Sequence, residues 1–170
     1  PLSSSAASDV YKRQSGKRAR NEKGIRTCGL PVFGFVRELR DETGQVQRLV
    51  EFGERYVRPG NWSAKLVLDP NERNVRAARR MFEAVDEGRT LTSICRELNS
   101  AGYRTINGKP FCTSTLKGML LNPIYKGELL AGVQSRGKFA RISEGGPIRV
   151  PSTSEALIDA ELFDLSLIHI

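Results

Sequence analysis

The chain is poor in the side chains that most enzymes use for chemistry. It has one histidine, the penultimate residue His169. That excludes metal centres built on several imidazoles and hydrolytic triads that need one inside the fold. The three cysteines, Cys28, Cys95 and Cys112, form no CxxC pair, so no zinc ribbon is encoded, and they fit the free thiols of a reducing compartment. Ser63, Ser93 and Ser114 have no identifiable base to activate them. No catalytic residue, metal ligand or cofactor is therefore assigned, and no activity is expected from this chain alone. No apolar run approaches the roughly 20 residues that a bilayer span needs. A cationic start followed by an apolar stretch and a small-residue cleavage site is missing as well.

Positive charge is what the sequence has in excess. Of 170 residues, 27 are Lys or Arg and 19 are Asp or Glu, a net charge of +8. From Lys12 to Arg26, seven basic residues oppose Glu22 alone; from Arg89 to Arg141, nine oppose two; residues 41 to 88 carry eight against nine acidic ones. Two basic zones therefore flank a neutral one. Such a surface attracts polyanions before any particular contact forms, and nucleic acid is the leading partner.

Periodicity and punctuation give the elements. Val32, Gly34 and Val36, then Val46 to Phe52, flank a turn at Asp41 to Gly44 and predict two strands. Asp69, Pro70 and Glu72 predict an N-cap, a first-turn proline and a capping-box partner. The helix that follows carries Val75, Ala78, Phe82 and Val85 inward until Gly88. Its outer face, with Arg73, Arg76, Arg80, Glu83 and Glu87, is mixed in charge and fits a solvated surface. Thr90 opens a second helix with Leu91, Ile94, Cys95 and Leu98 inward and Gly102 at its end; Cys95 is a core residue on this pattern. Tyr103 to Cys112 predicts a hairpin turning on Asn107 and Gly108. Thr113 caps a third helix with Leu116, Met119 and Leu120 inward, ended by Asn122 and Pro123. Ile124 to Val133 and Gly137 to Ile142 predict another hairpin, a basic wing. The class is α+β: a small three-helix, winged-helix-like core with β-hairpins, preceded by a basic linker arm.

The outward face of the third helix, Ser114, Lys117 and Gly118 with Thr115 at its edge, is small, polar and cationic. It suits a helix that lays hydroxyls and an ammonium against base edges and phosphates in a major groove. Gly132, Gly137 and Lys138 imitate the spacing of a phosphate-cradling loop. Phe139 stands where that motif needs Ser or Thr, and a strand follows where it needs a helix.

Several segments together resemble a known family. GLPVFGF at 29–35, Met81 and Phe82, EGRTLTSICRELNSAGYRT at 87–105, NGKPFCTSTLKGMLLNPIYKGE at 107–128 and ALIDAELFD at 156–164 resemble, in order, the recombinase domain of large serine recombinases. The likeness runs over about residues 17 to 164. It departs at Val32 and Phe33, where the family usually has Pro and Tyr, at Ile106 for Pro, and at Phe111 for Trp. The resemblance implies the DNA-gripping part of a site-specific recombinase, encoded by a bacterium or phage and acting in the cytoplasm at the nucleoid. The serine nucleophile would lie in a separate N-terminal domain and a cysteine-bearing zinc ribbon would follow. Neither is in this chain, which reads as the middle of a longer protein that self-associates through the missing parts. Residues 1–14 and 165–170 resemble translated sequencing-adapter read-through. That leaves 15–28 as a basic linker and 29–164 as the DNA-binding domain.

The expected contacts to double-stranded DNA at an attachment site follow. Lys17, Arg18, Arg20, Lys23 and Arg26 meet phosphates or the minor groove. Ser114, Thr115 and Lys117 sit at the major groove, and Arg104, Lys109, Lys126, Arg136, Lys138 and Arg141 clamp the backbone. Two rivals stand beside this: a DNA-binding regulator without strand exchange, and a basic RNA- or protein-binding module. RNA recognition favours exposed aromatics for base stacking, whereas Phe33, Phe35, Phe82 and Phe111 all fit core positions.

Overall fold

The computed structural model describes residues 12, 15–25, 31–57, 59–131 and 147–169. A helical arm over residues 15–22 comes first. Then follow β1 (Phe35–Arg40), β2 (Val46–Val50), β3 (Ser63–Leu68), α1 (Glu72–Asp86), α2 (Leu91–Ser100), α3 (Thr113–Leu120), a 3-10 turn (Pro123–Lys126), β4 (Glu128–Ala131), β5 (Ile148–Pro151) and α4 (Ala160–His169). The α+β class stands, with the three predicted helices at its centre.

The first sheet is antiparallel in the order β2-β1-β3. Its β1–β2 turn closes as expected: the Asp41 carboxylate accepts from the backbone N–H groups of Thr43 (2.9 Å) and Gln45 (3.0 Å), and Gly44 takes a positive φ of 84°. The first strand starts later than the alternation suggests. Val32 instead accepts from the Phe35 N–H (3.0 Å) across a turn at Phe33 and Gly34. A Cβ on Gly34, whose φ is 87°, would lie 2.9 Å from both Ala78 Cβ and Leu157 Cδ1, so only glycine lets this turn press onto α1. β3 was not expected; pairing of Phe35 with Leu68 and Arg40 with Ser63 makes it the second neighbour of β1.

Helix α1 is capped by Asn71, not Asp69. The Asp69 N–H donates to the Gly34 carbonyl (3.0 Å), which holds that residue to the sheet. Its buried carboxylate accepts from the Asn71 N–H (2.8 Å) and Asn74 Nδ2 (2.7 Å), while the Asn71 side chain accepts from the Arg73 N–H. Helix α3, by contrast, starts one residue early: Cys112 occupies the N-cap and Thr113 is its first helical residue. The predicted Tyr103–Cys112 hairpin is a loop without strands. Gly108 donates to the Thr105 carbonyl (2.8 Å), Thr105 donates to that of Lys109 (2.8 Å), and Asn107 does not take the positive φ that a two-residue turn demands. Ile106, Asn107 and Gly108 (φ 71°) form a three-residue loop instead. In the wing, Ile124 to Lys126 belong to the 3-10 turn and β4 pairs with Ile148–Pro151. The expected second strand, Gly137 to Ile142, lies outside the described residues.

One core joins these parts. Phe35 and Leu66 from the sheet, Ala78, Met81, Phe82 and Val85 from α1, Ile94 and Leu98 from α2, Leu116 and Leu120 from α3, and Phe163 from α4 are all buried in it. Tyr125 lies at its centre, its ring 5.0 Å from that of Phe82 and 5.8 Å from that of Phe35, and its hydroxyl donates to the Phe33 carbonyl (3.0 Å). The arm is moored at its end. Gly24 (φ 73°) closes the helix, and its carbonyl accepts from the Thr153 N–H at 3.1 Å. A Cβ on Gly24 would sit only 2.1 Å from the Pro151 carbonyl oxygen, so the contact with the end of β5 also requires glycine.

Candidate nucleic-acid interface

Helices α2 and α3 are set against each other by a side chain. Asn99, near the end of α2, donates from Nδ2 to the Phe111 carbonyl (2.9 Å) and accepts at Oδ1 from the Phe111 N–H (2.7 Å). This bidentate clasp replaces the backbone pairing that a hairpin would have supplied. It fixes where α3 begins. With Leu116 and Leu120 fully buried beneath, Ser114, Lys117 and Gly118 are exposed and Thr115 is half-buried, as the periodicity predicts. Thr92, Arg96 and Ser100 recur at i, i+4 and i+8 on α2 and lie on its exposed side. Thr92, Arg96 and Ser100 also line a cleft of about 660 Å³ that reaches Cys112 and Thr113 at the start of α3. Sequence reasoning passed over Arg96, although its helical spacing marks it.

The distribution of ion pairs separates the cations into two sets. Over α1 and the sheets they are bonded within the protein: Arg80 bonds Glu87 (2.6 Å), Arg76 faces Glu72 (3.9 Å), Arg149 faces Glu128 (3.1 Å), Arg40 and Arg48 pair with Glu38 and Glu54, and Arg73, Arg79 and Arg37 donate to the Ala101 and Leu157 carbonyls and the Tyr56 hydroxyl; Arg89, just before α2, also pairs with Glu97 (2.6 Å). In contrast, Lys17, Arg20 and Lys23 on the arm, and Arg55, Arg96, Lys109 and Lys117 around α2 and α3, are exposed and have no hydrogen-bond or ion-pair partner among the described residues. Lys65 on β3 is the exception, partnerless yet on the sheet.

Not every expected site residue joins that second set. Arg18 is bonded to Glu22 (3.0 Å) one turn along the arm. Arg104 is exposed, but its Nη1 donates to the carbonyls of Asn99 (3.1 Å) and Tyr103 (2.6 Å) and so finishes the C-terminus of α2. Lys126 is held inside the fold. Its ammonium lies 3.0 Å from Asp164 and 3.5 Å from Glu128 and sits over the Phe163 ring at 5.1 Å, and its side chain is only 11% exposed. It ties the 3-10 turn to α4 and is withdrawn from the expected backbone clamp. Arg26, Arg136, Lys138 and Arg141 lie outside the described residues, as does the glycine and lysine pattern that imitates a phosphate loop.

Cys112 gives this face a chemical handle. Its sulfur lies 3.2 Å from Ser114 Oγ and 3.1 Å from Thr115 Oγ1. Hydrogen bonds from the Ser114 and then the Thr115 hydroxyl lower its pKa from 9.0 to about 7. Burial pushes the Cys95 thiol the other way. Alkylation by iodoacetamide is therefore expected to label Cys112 before Cys95, with a rate that rises through pH of about 7. Ser114→Ala should carry that midpoint upward, which peptide mapping across pH checks. Because the folded chain releases this proton more easily than the unfolded one, the linked stabilisation is complete above pH 9.0 and fades as the pH falls through about 7.

No cluster of metal-ligating side chains exists among the described residues, and no helix there is long and apolar enough to cross a membrane. Fold and charge together describe a small α+β module with an open cationic face at the start of its third helix. The Recombinase family model matches residues 72–166, more than half of the sequence, and the chain belongs to that family. Two solved structures share the fold. One is the crystal structure of an LSR–DNA complex, at 17% identity and a TM-score of 0.55 over 93% of this chain and 38% of that one. The other comes from work on the sequence requirements of the Listeria innocua prophage attP site, at 17% identity and a TM-score of 0.53 over 93% of this chain and 50% of that one. The chain thus spans half or less of the length of the solved chains it matches. No curated protein matches it.

Proposed function

We propose that the chain is the duplex-gripping module of a site-specific serine recombinase, acting at an attachment site in DNA integration or exchange. The observation that carries this is the segregation of cations: those on α1 and the sheets, Lys65 apart, are bonded within the protein by carboxylates or other oxygen acceptors, while Lys17, Arg20 and Lys23 on the arm and Arg96, Lys109 and Lys117 around α2 and α3 are open to solvent. Family membership and the DNA complex among the structures of like fold support it. Lys17, Arg20 and Lys23 meet phosphates along the arm, and Arg26 is a further phosphate contact. Lys117 and Arg96 contact phosphates that border the major groove, and Ser114 and Thr115 offer hydroxyls to base edges. Arg136, Lys138 and Arg141 add further backbone contacts. Strand exchange and the self-association it needs belong to the longer protein, which works at the nucleoid in the cytoplasm.

Selection from a randomised duplex pool tests this. The wild-type chain should enrich a defined sequence. Lys117→Ala should weaken binding to every duplex alike and flatten the salt slope by about one, whereas Ser114→Ala and Thr115→Val should change the sequence enriched. Tighter binding of single-stranded RNA, or one enriched sequence for wild type and both hydroxyl variants, would sink the major-groove assignment.

A further inference from the structure

A second cationic cleft, of about 870 Å³, is lined in part by the loop that leads from α2 to α3. Its walls are the Phe52–Arg55 segment, the first turn of α1 from Asn71 to Asn74, and the turn from Gly102 to Lys109. Four basic residues line it, Arg55, Arg73, Arg104 and Lys109, against one acidic residue, Glu54. That carboxylate is already bonded to Arg48, so it does not cancel the field. Two of the cations have structural tasks. Arg73 donates to the Ala101 carbonyl and lies over the Tyr103 ring at 4.7 Å, and Arg104 finishes α2. Arg55 and Lys109 have none and stand exposed. The N-terminal end of the 15-residue helix α1 adds its positive dipole to the same wall. Gly53, Gly102 and Gly108 keep the lining low and leave backbone open to close approach.

We propose that this cleft seats a stretch of phosphodiester backbone, on the strand that borders the major groove entered by α3. The proposal rests on the duplex-binding reading and deepens it. Lys109 and Thr113, at the start of α3, are four positions apart in sequence, so the two lie at most about 14 Å apart, close to the roughly 12 Å width of a major groove. A helix lying in the groove therefore brings the Thr105–Lys109 turn to the flanking phosphates. Arg55, some fifty residues earlier in sequence, closes on the same strand from the opposite wall. The ligand is recognised by charge and backbone shape, so this contact is indifferent to base sequence.

The test is anisotropy of the 170-residue chain on a labelled duplex of roughly 30 base pairs and random sequence, titrated with salt. The panel is wild type, Arg55→Ala, Lys109→Ala, their double variant, Lys117→Ala, and, as a control outside the cleft, Arg76→Ala, whose guanidinium already faces Glu72. Each cleft variant should weaken binding about five- to tenfold near 0.1 M salt and lower the slope by about one, and the double variant by about two. Arg76→Ala should match wild type. Thermal melts should not move, because neither Arg55 nor Lys109 has a partner to lose. A double variant with the wild-type slope, where Lys117→Ala is weakened, overturns the cleft and leaves the α3 reading intact. Weakened cleft variants beside a silent Lys117→Ala uphold the cleft and overturn that reading instead. A wild-type chain with no salt-sensitive affinity for duplex overturns both.

Discussion

Replacing Lys17, Arg20 and Lys23 together by alanine is expected to weaken duplex binding by roughly 500-fold at 0.1 M salt and to lower the salt slope by nearly three. Each phosphate neutralised by a side chain contributes a slope of about 0.9, which at 0.1 M amounts to about eightfold in affinity. Three such contacts multiply. The arithmetic needs the three cations to be free before DNA arrives, and they are exposed without partners among the described residues. It also needs the arm to be held rather than trailing, since a tethered but unfixed segment pays ordering entropy when it binds. The Gly24–Thr153 contact supplies that hold. Arg18→Ala is the internal comparison. Its guanidinium is already bonded to Glu22, so its loss should cost less than that of any of the three. Salt titrations from about 0.05 to 0.3 M decide the matter; a triple variant within threefold of wild type would remove the arm from the interface.

The parts of this molecule written in local sequence were legible, and those that depend on distant partners were not. The stripes Ile94, Cys95, Leu98 and Leu116, Leu120 place two helices and, by subtraction, the exposed residues between them. β3 gave no such signal, because its alternation is weak and its reason for being a strand is β1, some 30 residues earlier. The cap of α1 moved from Asp69 to Asn71 for the same kind of reason: a bond to Gly34, out of view in the local pattern, claims Asp69 for the sheet. Charge was legible in amount but not in availability. Lys126 and Lys109 look alike in sequence. Only the fold reveals that α4 brings Asp164 to the first and leaves the second open. Arg55 was invisible within a neutral zone whose other described arginines are bonded or ion-paired within the protein, and it gains significance from the wall opposite it.

Phe33→Ala is expected to cost about 3 to 5 kcal/mol of stability, a drop in melting temperature of roughly 10 to 15 °C for a chain of this size. The side chain is 2% exposed and stands edge-on to three rings: Phe111 at 5.3 Å, Phe52 at 5.5 Å and Tyr103 at 6.0 Å. Phe52 and Tyr103 line the second cleft, and Phe111 leads into α3 through the Asn99 clasp. One truncation therefore opens a cavity in the core and loosens the mounting of the cationic face. Phe33→Leu fills most of the volume and should retain more than half of the stability, yet it lacks the ring edges that orient Phe52 and Phe111. The two variants separate the effects. Both should bind duplex more weakly than wild type at temperatures where each is fully folded, with salt slopes close to wild type, because no cation has been removed. Calorimetry gives the first quantity and anisotropy the second; a melting temperature within about 2 °C of wild type for Phe33→Ala would mean that this aromatic cluster does not hold the sheet to the helices.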